Sequence, residues 1–224
     1  ICTETTNELT VTVNSTVIGG TTTDQNICTL NELQLLTVNN GENNGTYQWQ
    51  QNNLGTWENL PGAAGINYDA STSLTPGVSE FRRITTVSGA SCEDISSVAT
   101  ITYSNFGLGS ITSAQTICNG ETPYTLNSVA DATGTGTISY QWQQFDGANW
   151  GAITSATGNI YQPGPLQQTA LFRRMDAIEL NGFICTETTN ELTVTVNSTV
   201  IGGTTTDQNI CTLNELQLLT VNNG

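Results

Sequence analysis

Hydrophobic positions along this chain alternate with polar ones at a period of two. The clearest run is Leu192-Thr193-Val194-Thr195-Val196, which puts Leu and Val on one face of an extended chain and Thr on the other. Across residues 108–199 the pattern predicts seven short strands, near 110–117, 124–129, 137–144, 149–153, 159–161, 170–177 and 191–196. Turn residues separate them: Asn119-Gly120, Gly134-Thr135-Gly136, Asp146-Gly147, Pro163-Gly164-Pro165 and Asn181-Gly182. No stretch carries a helical period. Seven strands in about ninety residues, with a Trp on the third, read as an all-β, immunoglobulin-like β-sandwich.

The same pattern occurs more than once. Residues 1–41 recur without change as 184–224, an offset of 183 residues. A diverged repeat of about half that period lies inside. Thr46-Tyr47-Gln48-Trp49-Gln50-Gln51 returns as Ser139-Tyr140-Gln141-Trp142-Gln143-Gln144. Trp57 returns as Trp150, Tyr68 as Tyr161, and Phe81-Arg82-Arg83 as Phe172-Arg173-Arg174. Cys28 corresponds to Cys118 and Cys211, and Cys2 to Cys92 and Cys185. The expected organisation is a terminal strand of a preceding module (1–16), two complete modules (17–107 and 108–199) and the start of a third (200–224). The chain opens mid-pattern at Ile1-Cys2 and reads as a piece of a longer array of sandwiches.

The second module strings together Ile117-Cys118-Asn119-Gly120, Tyr140-Gln141-Trp142, Trp150 with Ile153, Tyr161 with Pro163, Leu166 with Thr169, Phe172-Arg173-Arg174, Cys185, and Thr193-Val194-Thr195-Val196. In that order and spacing the residues resemble the Ig-like or PKD-like repeats of Bacteroidota surface proteins. Such repeats occur in very long adhesins exported by the type IX system, including those of gliding bacteria. The first module departs from the pattern, with Cys28-Thr29-Leu30 where the Cys-x-Gly turn would stand. The resemblance implies an extracellular, bacterial cell-surface location and an adhesive or stalk role.

Composition narrows the chemistry. Hydrophobic residues make up 36% and charged ones only 10%, with four Arg, no Lys, no His and a net charge of −15. The aromatic and β-branched content separates this chain from disordered acidic tails. Without His, imidazole-dependent triads, dyads and metal sites are excluded. The acidity opposes nucleic-acid partners, because few cations are present to neutralise phosphates. The apolar runs fall far short of the roughly 20 residues that span a bilayer, so no membrane insertion is expected in this segment. Nineteen carboxylates invite calcium. However, there is no Asp-x-Asp-x-Asp-Gly loop, and the junctions Asn105-Phe106-Gly107-Leu108-Gly109 and Val200-Ile201-Gly202-Gly203 are apolar. No cofactor is expected, and no carboxylate pair marks an enzyme.

Trp49 and Trp142, mid-strand in Gln-Trp-Gln frames, are expected in the core. Trp57 and Trp150 follow tight turns, where they either close the core or stand exposed as platforms for sugars. Phe81 and Phe172 should face inward. Successive strand residues face opposite ways, so Arg82 and Arg173 then face solvent and Arg83 and Arg174 lie on the core side. An inward Arg needs a carboxylate or several carbonyls around it.

Six cysteines without imidazole point to disulfides in an oxidising compartment. The simplest pairing keeps each bond inside one module, Cys28–Cys92 and Cys118–Cys185, leaving Cys2 and Cys211 for neighbouring modules. Strand parity opposes it, because a Cys before the second strand and one after the sixth belong at opposite ends of a sandwich. Head-to-tail stacking offers Cys28–Cys185 instead, a staple between successive modules. The function expected is a structural stalk of a surface adhesin or filament. Its partners would be neighbouring modules of the same chain, with fibre self-association or surface glycans as further partners. Glycan binding by the modules themselves is the alternative.

Overall fold

The computed structural model describes residues 2–11, 16–87, 92–198, 202–209, 211, 213 and 217–221. The first repeat supplies β1 (Gln25–Ile27), β2 (Gly45–Asn53), β3 (Thr56–Asn59), β4 (Gly77–Val87), β5 (Glu93–Ile95) and β6 (Ala99–Tyr103). These form one sheet in the order β1-β6-β4-β2-β3, with β5 also paired to β4. The edge strand β1 runs parallel to β6; the other pairings are antiparallel.

The second repeat supplies β7 (Ser110–Thr112), β8 (Gln115–Cys118), β9 (Asn127–Ala130), β10 (Thr137–Phe145), β11 (Trp150–Ala152), β12 (Ala170–Leu180), β13 (Phe183–Thr188) and β14 (Leu192–Asn197). Its main sheet repeats the first: β11-β10-β12-β14-β8, with β13 on β12 and β8 parallel to β14. Among the described residues the facing layer is slight, consisting of the β7–β9 ribbon and a Leu126–Tyr161 bridge. The first repeat matches it with bridges at Thr21–Asn39 and Leu36–Tyr68.

Each sheet buries its alternate residues. In β4 the buried positions are Ser79, Phe81, Arg83 and Thr85, and in β12 they are Ala170, Phe172, Arg174, Asp176 and Ile178. One core gathers Ile27, Leu36, Trp49, Phe81, Ile101 and Tyr103; the other gathers Ile117, Leu126, Trp142, Phe172, Leu192 and Val194. The architecture is all-β, with two tandem β-sandwich modules of the Ig or fibronectin III kind.

Three strand expectations change. The run predicted at 110–117 is broken at Ser113, whose φ of 98° turns the chain and separates β7 from β8. The strand predicted at 159–161 reduces to one bridge at Tyr161. Conversely, Phe183–Thr188 is a strand, because the Asn181-Gly182 turn folds it back on β12 as a hairpin. The terminal strand expected at 1–16 is absent over the described residues 2–11; residues 12–15 and the junction at Val200-Ile201 lie outside the described set.

The chain divides into two compact units. One comprises 1–108, 132–139 and 176–187; the other comprises 109–131, 140–175 and 188–224. Two segments of the second repeat therefore belong to the first unit.

Candidate functional site

Within the first unit, Cys28 and Cys185 form a disulfide across 157 residues of sequence, with Cα atoms 5.7 Å apart. Cys28 follows β1. Its N–H donates to a Glu32 carboxylate oxygen at 2.9 Å, and its carbonyl accepts the Phe106 N–H at 2.8 Å. Cys185 sits in β13 and is buried, with its Sγ 3.1 Å from the Ser104 hydroxyl. The surrounding backbone is closely joined. Gly107 and Thr133 exchange N–H···O bonds of 2.9 and 2.8 Å, and the Thr135 N–H donates to the Ser104 carbonyl at 2.7 Å. Gly134 lies between them at φ 141°, where a Cβ would come within 2.8 Å of the Ser104 carbonyl oxygen. The turn expected from Gly134-Thr135-Gly136 is thus a close backbone junction.

This bond corrects the intramodule scheme. Cys28 is bonded to Cys185 and not to Cys92, and Cys118 is an exposed thiol. Cys2 is exposed, Cys92 is half-buried and Cys211 is exposed. The parity argument explains why. Cys28 closes β1 at one end of its sheet, whereas Cys92 enters β5 beside the far part of β4.

The aromatic and arginine residues pack as two matching sets. Trp49 and Trp142 are fully buried, and their indole N–H groups donate to the Gly65 and Gly158 carbonyls at 3.1 and 2.9 Å. Gln48 and Gln141 cross each hairpin, donating to the carbonyls of Leu60 and Ile153 at 2.9 and 2.8 Å. Phe81 and Phe172 are buried against Tyr68 and Tyr161. Trp57 and Trp150 are half-buried on the edge strands, with Arg82 and Arg173 guanidinium groups 4.2 and 4.3 Å above their rings. Each of those arginines also donates through Nε to a Gln oxygen at 2.7 Å, Gln50 or Gln143. A shallow hollow beside the second set is lined by Gln144, Phe145, Asp146, Gly151 and Leu171.

Arg83 and Arg174 are both fully buried and lie 4.4 and 4.3 Å over Tyr47 and Tyr140. Arg174 donates to the Asn159 carbonyl at 2.7 Å and the Ser128 hydroxyl at 3.0 Å, and lies 3.8 Å from Asp131. Arg83 donates to the Ile66 carbonyl at 2.8 Å, while its Nε and Nη2 have no hydrogen-bond partner among the described residues. Burial pushes the Arg83 guanidinium below its ordinary value. Asp131 is held below the usual carboxylate range by hydrogen bonds from Ser128 and Asn159, with a smaller contribution from the Arg174 charge. Asp94 is lowered in the same sense by the Gly19 and Ile95 N–H groups.

Sequence reasoning did not find Ser104, Glu32 or Asp131. The signal for the glutamates is a Glu shortly after each Cys, Glu32 after Cys28 and Glu121 after Cys118. Asp131 lies in a stretch longer than its counterpart in the first repeat, so the repeat alignment hides it. Among the described residues, no three His, Cys, Asp or Glu side chains converge as a metal site would.

Paired sandwich modules with a disulfide are the makings of an extracellular repeat protein. The family described as Domain of unknown function (DUF8696) matches residues 17–105 and again 108–198, and the chain belongs to that family. No curated protein matches the chain in sequence. Among solved structures it is similar to Drosophila OTK extracellular domains 3–5, at 11% identity and a TM-score of 0.46, covering 79% of this chain and 60% of that one. It is also similar to the N-terminal four Ig domains of Dscam1 isoform 6.9, at 9% identity and a TM-score of 0.39, covering 81% and 44%. A third likeness is to the fibronectin(III)-like modules of Clostridium thermocellum CbhA, at 11% identity and a TM-score of 0.30, covering 84% and 94%. The chain thus spans 60% and 44% of the first two structures, and the likeness concerns the fold alone.

Proposed function

We propose that this chain is a stalk segment of a bacterial cell-surface adhesin or filament, of the kind its sequence resembles in Bacteroidota. It is not an enzyme; its work is mechanical, projecting a binding tip and bearing load. Its partners are neighbouring modules of the same array. The observation that supports this most is the Cys28–Cys185 bond, which joins the two repeats and would be superfluous in a pair of independent domains. The unchanged return of residues 1–41 at 184–224 makes the repeat pair a unit of a longer series.

Electron micrographs of the purified appendage should show thin beaded rods in which alternate beads differ slightly. Compact particles without an axial repeat would overturn the stalk reading.

The alternative, glycan binding by the modules, has one observation in its favour: Trp150 stands at the sheet edge beside the open hollow. Against it, an arginine already covers a face of each ring. On a carbohydrate array the chain should give no signal that disappears with Trp150→Ala. A signal lost in that variant while the fold survives would favour glycan recognition.

A further inference from the structure

The two repeats offer the same pair of cysteine positions, and only one position of each pair is used. Cys28 directly follows, and Cys118 ends, a strand that runs parallel to the last strand of its sheet, β1 on β6 and β8 on β14. Both have their backbone N–H held by a glutamate carboxylate, Glu32 at 2.9 Å and Glu121 at 2.8 Å. Cys92 and Cys185 are equivalent in the same detail. Four residues after each comes a hydroxyl residue, Ser96 or Thr189, that accepts the N–H of the buried arginine, Arg83 or Arg174, at 2.9 and 3.0 Å. In both cases its own N–H returns to that arginine's carbonyl at 2.9 Å.

The bond that forms runs from a cysteine of the first kind to one of the second kind in the following repeat. Cys118 is of the first kind and exposed, and Cys92 is of the second kind and half-buried; both are unbonded. They cannot satisfy each other by that rule within one repeat pair, because Cys92 precedes Cys118. One 183-residue unit further on, however, the position equivalent to Cys92 falls 157 residues beyond Cys118. That is the separation of Cys28 and Cys185.

We infer that Cys118 and Cys92 are the two halves of a second staple, closed by the neighbouring copy of this repeat pair. The inference rests on the array reading given above. The chemistry is thiol–disulfide exchange with a disulfide donor, either a low-molecular-weight disulfide or a thiol oxidoreductase. The Cys118 thiolate displaces one donor thiol to form a mixed disulfide. The partner copy's Cys92 thiolate then displaces the other donor thiol. Two protein thiols are oxidised, one donor disulfide is reduced to two thiols, and the two protons given up by the cysteines end on the released donor sulfurs. The loop closed by Cys28–Cys185 and the loop opened at Cys118 share residues 118–185, so successive covalent loops overlap. The shortest covalent path through such an array follows backbone only for the 26 residues from Cys185 to Cys211 in each 183-residue unit.

Complementation between two single variants of the full chain tests this. In a Cys2→Ser, Cys211→Ser background, one chain carries Cys92→Ser and another Cys118→Ser. Each is incubated at high concentration in a buffer of oxidised and reduced glutathione. Neither variant alone should dimerise, whereas the equimolar mixture should give at least tenfold more disulfide dimer, with Cys118 joined to Cys92 in its tryptic map. Recovery of the Cys28–Cys185 peptide from every sample reports that the fold is intact. Equal dimerisation of either variant alone overturns the inference. So does a Cys92–Cys118 bond within one molecule of the unsubstituted background, or a mixture that stays monomeric with Cys28–Cys185 closed. Any of these would leave the stalk reading standing if the appendage is still a beaded rod. A globular appendage would sink that reading whatever the cysteines do.

Discussion

Arg83 and Arg174 occupy one register position and are equally buried, yet their guanidinium groups are not equally satisfied. Arg174 has the Asn159 and Ala130 carbonyls, a hydroxyl and the nearby Asp131 carboxylate; among the described residues Arg83 has one carbonyl, with two nitrogen positions lacking partners. An unpaired buried donor forfeits its hydration without compensation, which costs about 1–3 kcal/mol. Substitution by the apolar, similarly long Met removes that penalty in the first repeat and removes real hydrogen bonds in the second. Arg174→Met should therefore destabilise its module by about 2 kcal/mol more than Arg83→Met does in its own, measured by native-state hydrogen exchange of β12 and β4 amides. Equal costs would show that the two sites are energetically alike. The carboxylates give a second residue-scale expectation. Asp131, Asp94, Asp69 and Asp146 are all held below the ordinary range by hydrogen bonds. A carboxyl lowered by folding contributes stability that is complete above its unfolded value and lost as pH falls through its folded one. The thermal midpoint should be flat from pH 7 to about 5 and should fall below about pH 4. Asp131→Asn should make that acid fall shallower, and an unaltered profile would contradict the assignment.

At the scale of the element, the 41-residue sequence that occurs twice shows what local pattern can and cannot decide. In its second occurrence, residues 185–197 form most of β13 and all of β14, because β12 and β8 are there to pair with them. The same residues in the first occurrence form no strand over the described residues 2–11. The reverse holds for the rest of the segment. Residues 17–41 supply β1 and the buried Leu36 to the first sandwich, while their copy forms no strand over the described residues 202–209 and 217–221. One local contact survives in all three places. Gln25, Gln115 and Gln208 each exchange two hydrogen bonds with the backbone nine residues on, at Gln34, Tyr124 and Gln217. Alternation made the strands with buried faces legible, Trp49 and Trp142 above all. The split at Ser113 and the hairpin strand Phe183–Thr188 were not legible, since a positive φ and an edge pairing leave no trace in hydrophobic period. Strand parity accounts for the buried side of Arg83 and Arg174; the half-buried stacks of Arg82 and Arg173 on Trp57 and Trp150 were not legible, because parity says which way a side chain points but not what covers it. Trp142→Ala should remove a fully buried ring and cost about 3–5 kcal/mol, read as loss of protection in β10 and β12. A loss below about 1 kcal/mol would contradict its place in the core.

For the molecule as a whole, the Cys28–Cys185 bond matters more than any single packing contact. On the chain-entropy account, closing a 157-residue loop stabilises the folded state by about 5 kcal/mol. It also alters where tension runs. A pull applied at the two ends crosses the disulfide and leaves everything between Cys28 and Cys185 unloaded, including all the strands β2 to β12. The sandwich cores would then maintain the spacing of the stalk without resisting its tension. Pulling single 224-residue chains by their ends, with and without reductant, tests this most directly. The oxidised chain should extend only through residues outside the loop. After reduction the extension should grow by roughly 520–565 Å, the reach of 157 residues at about 3.3–3.6 Å each. Oxidised and reduced chains that unravel to the same length would contradict the account.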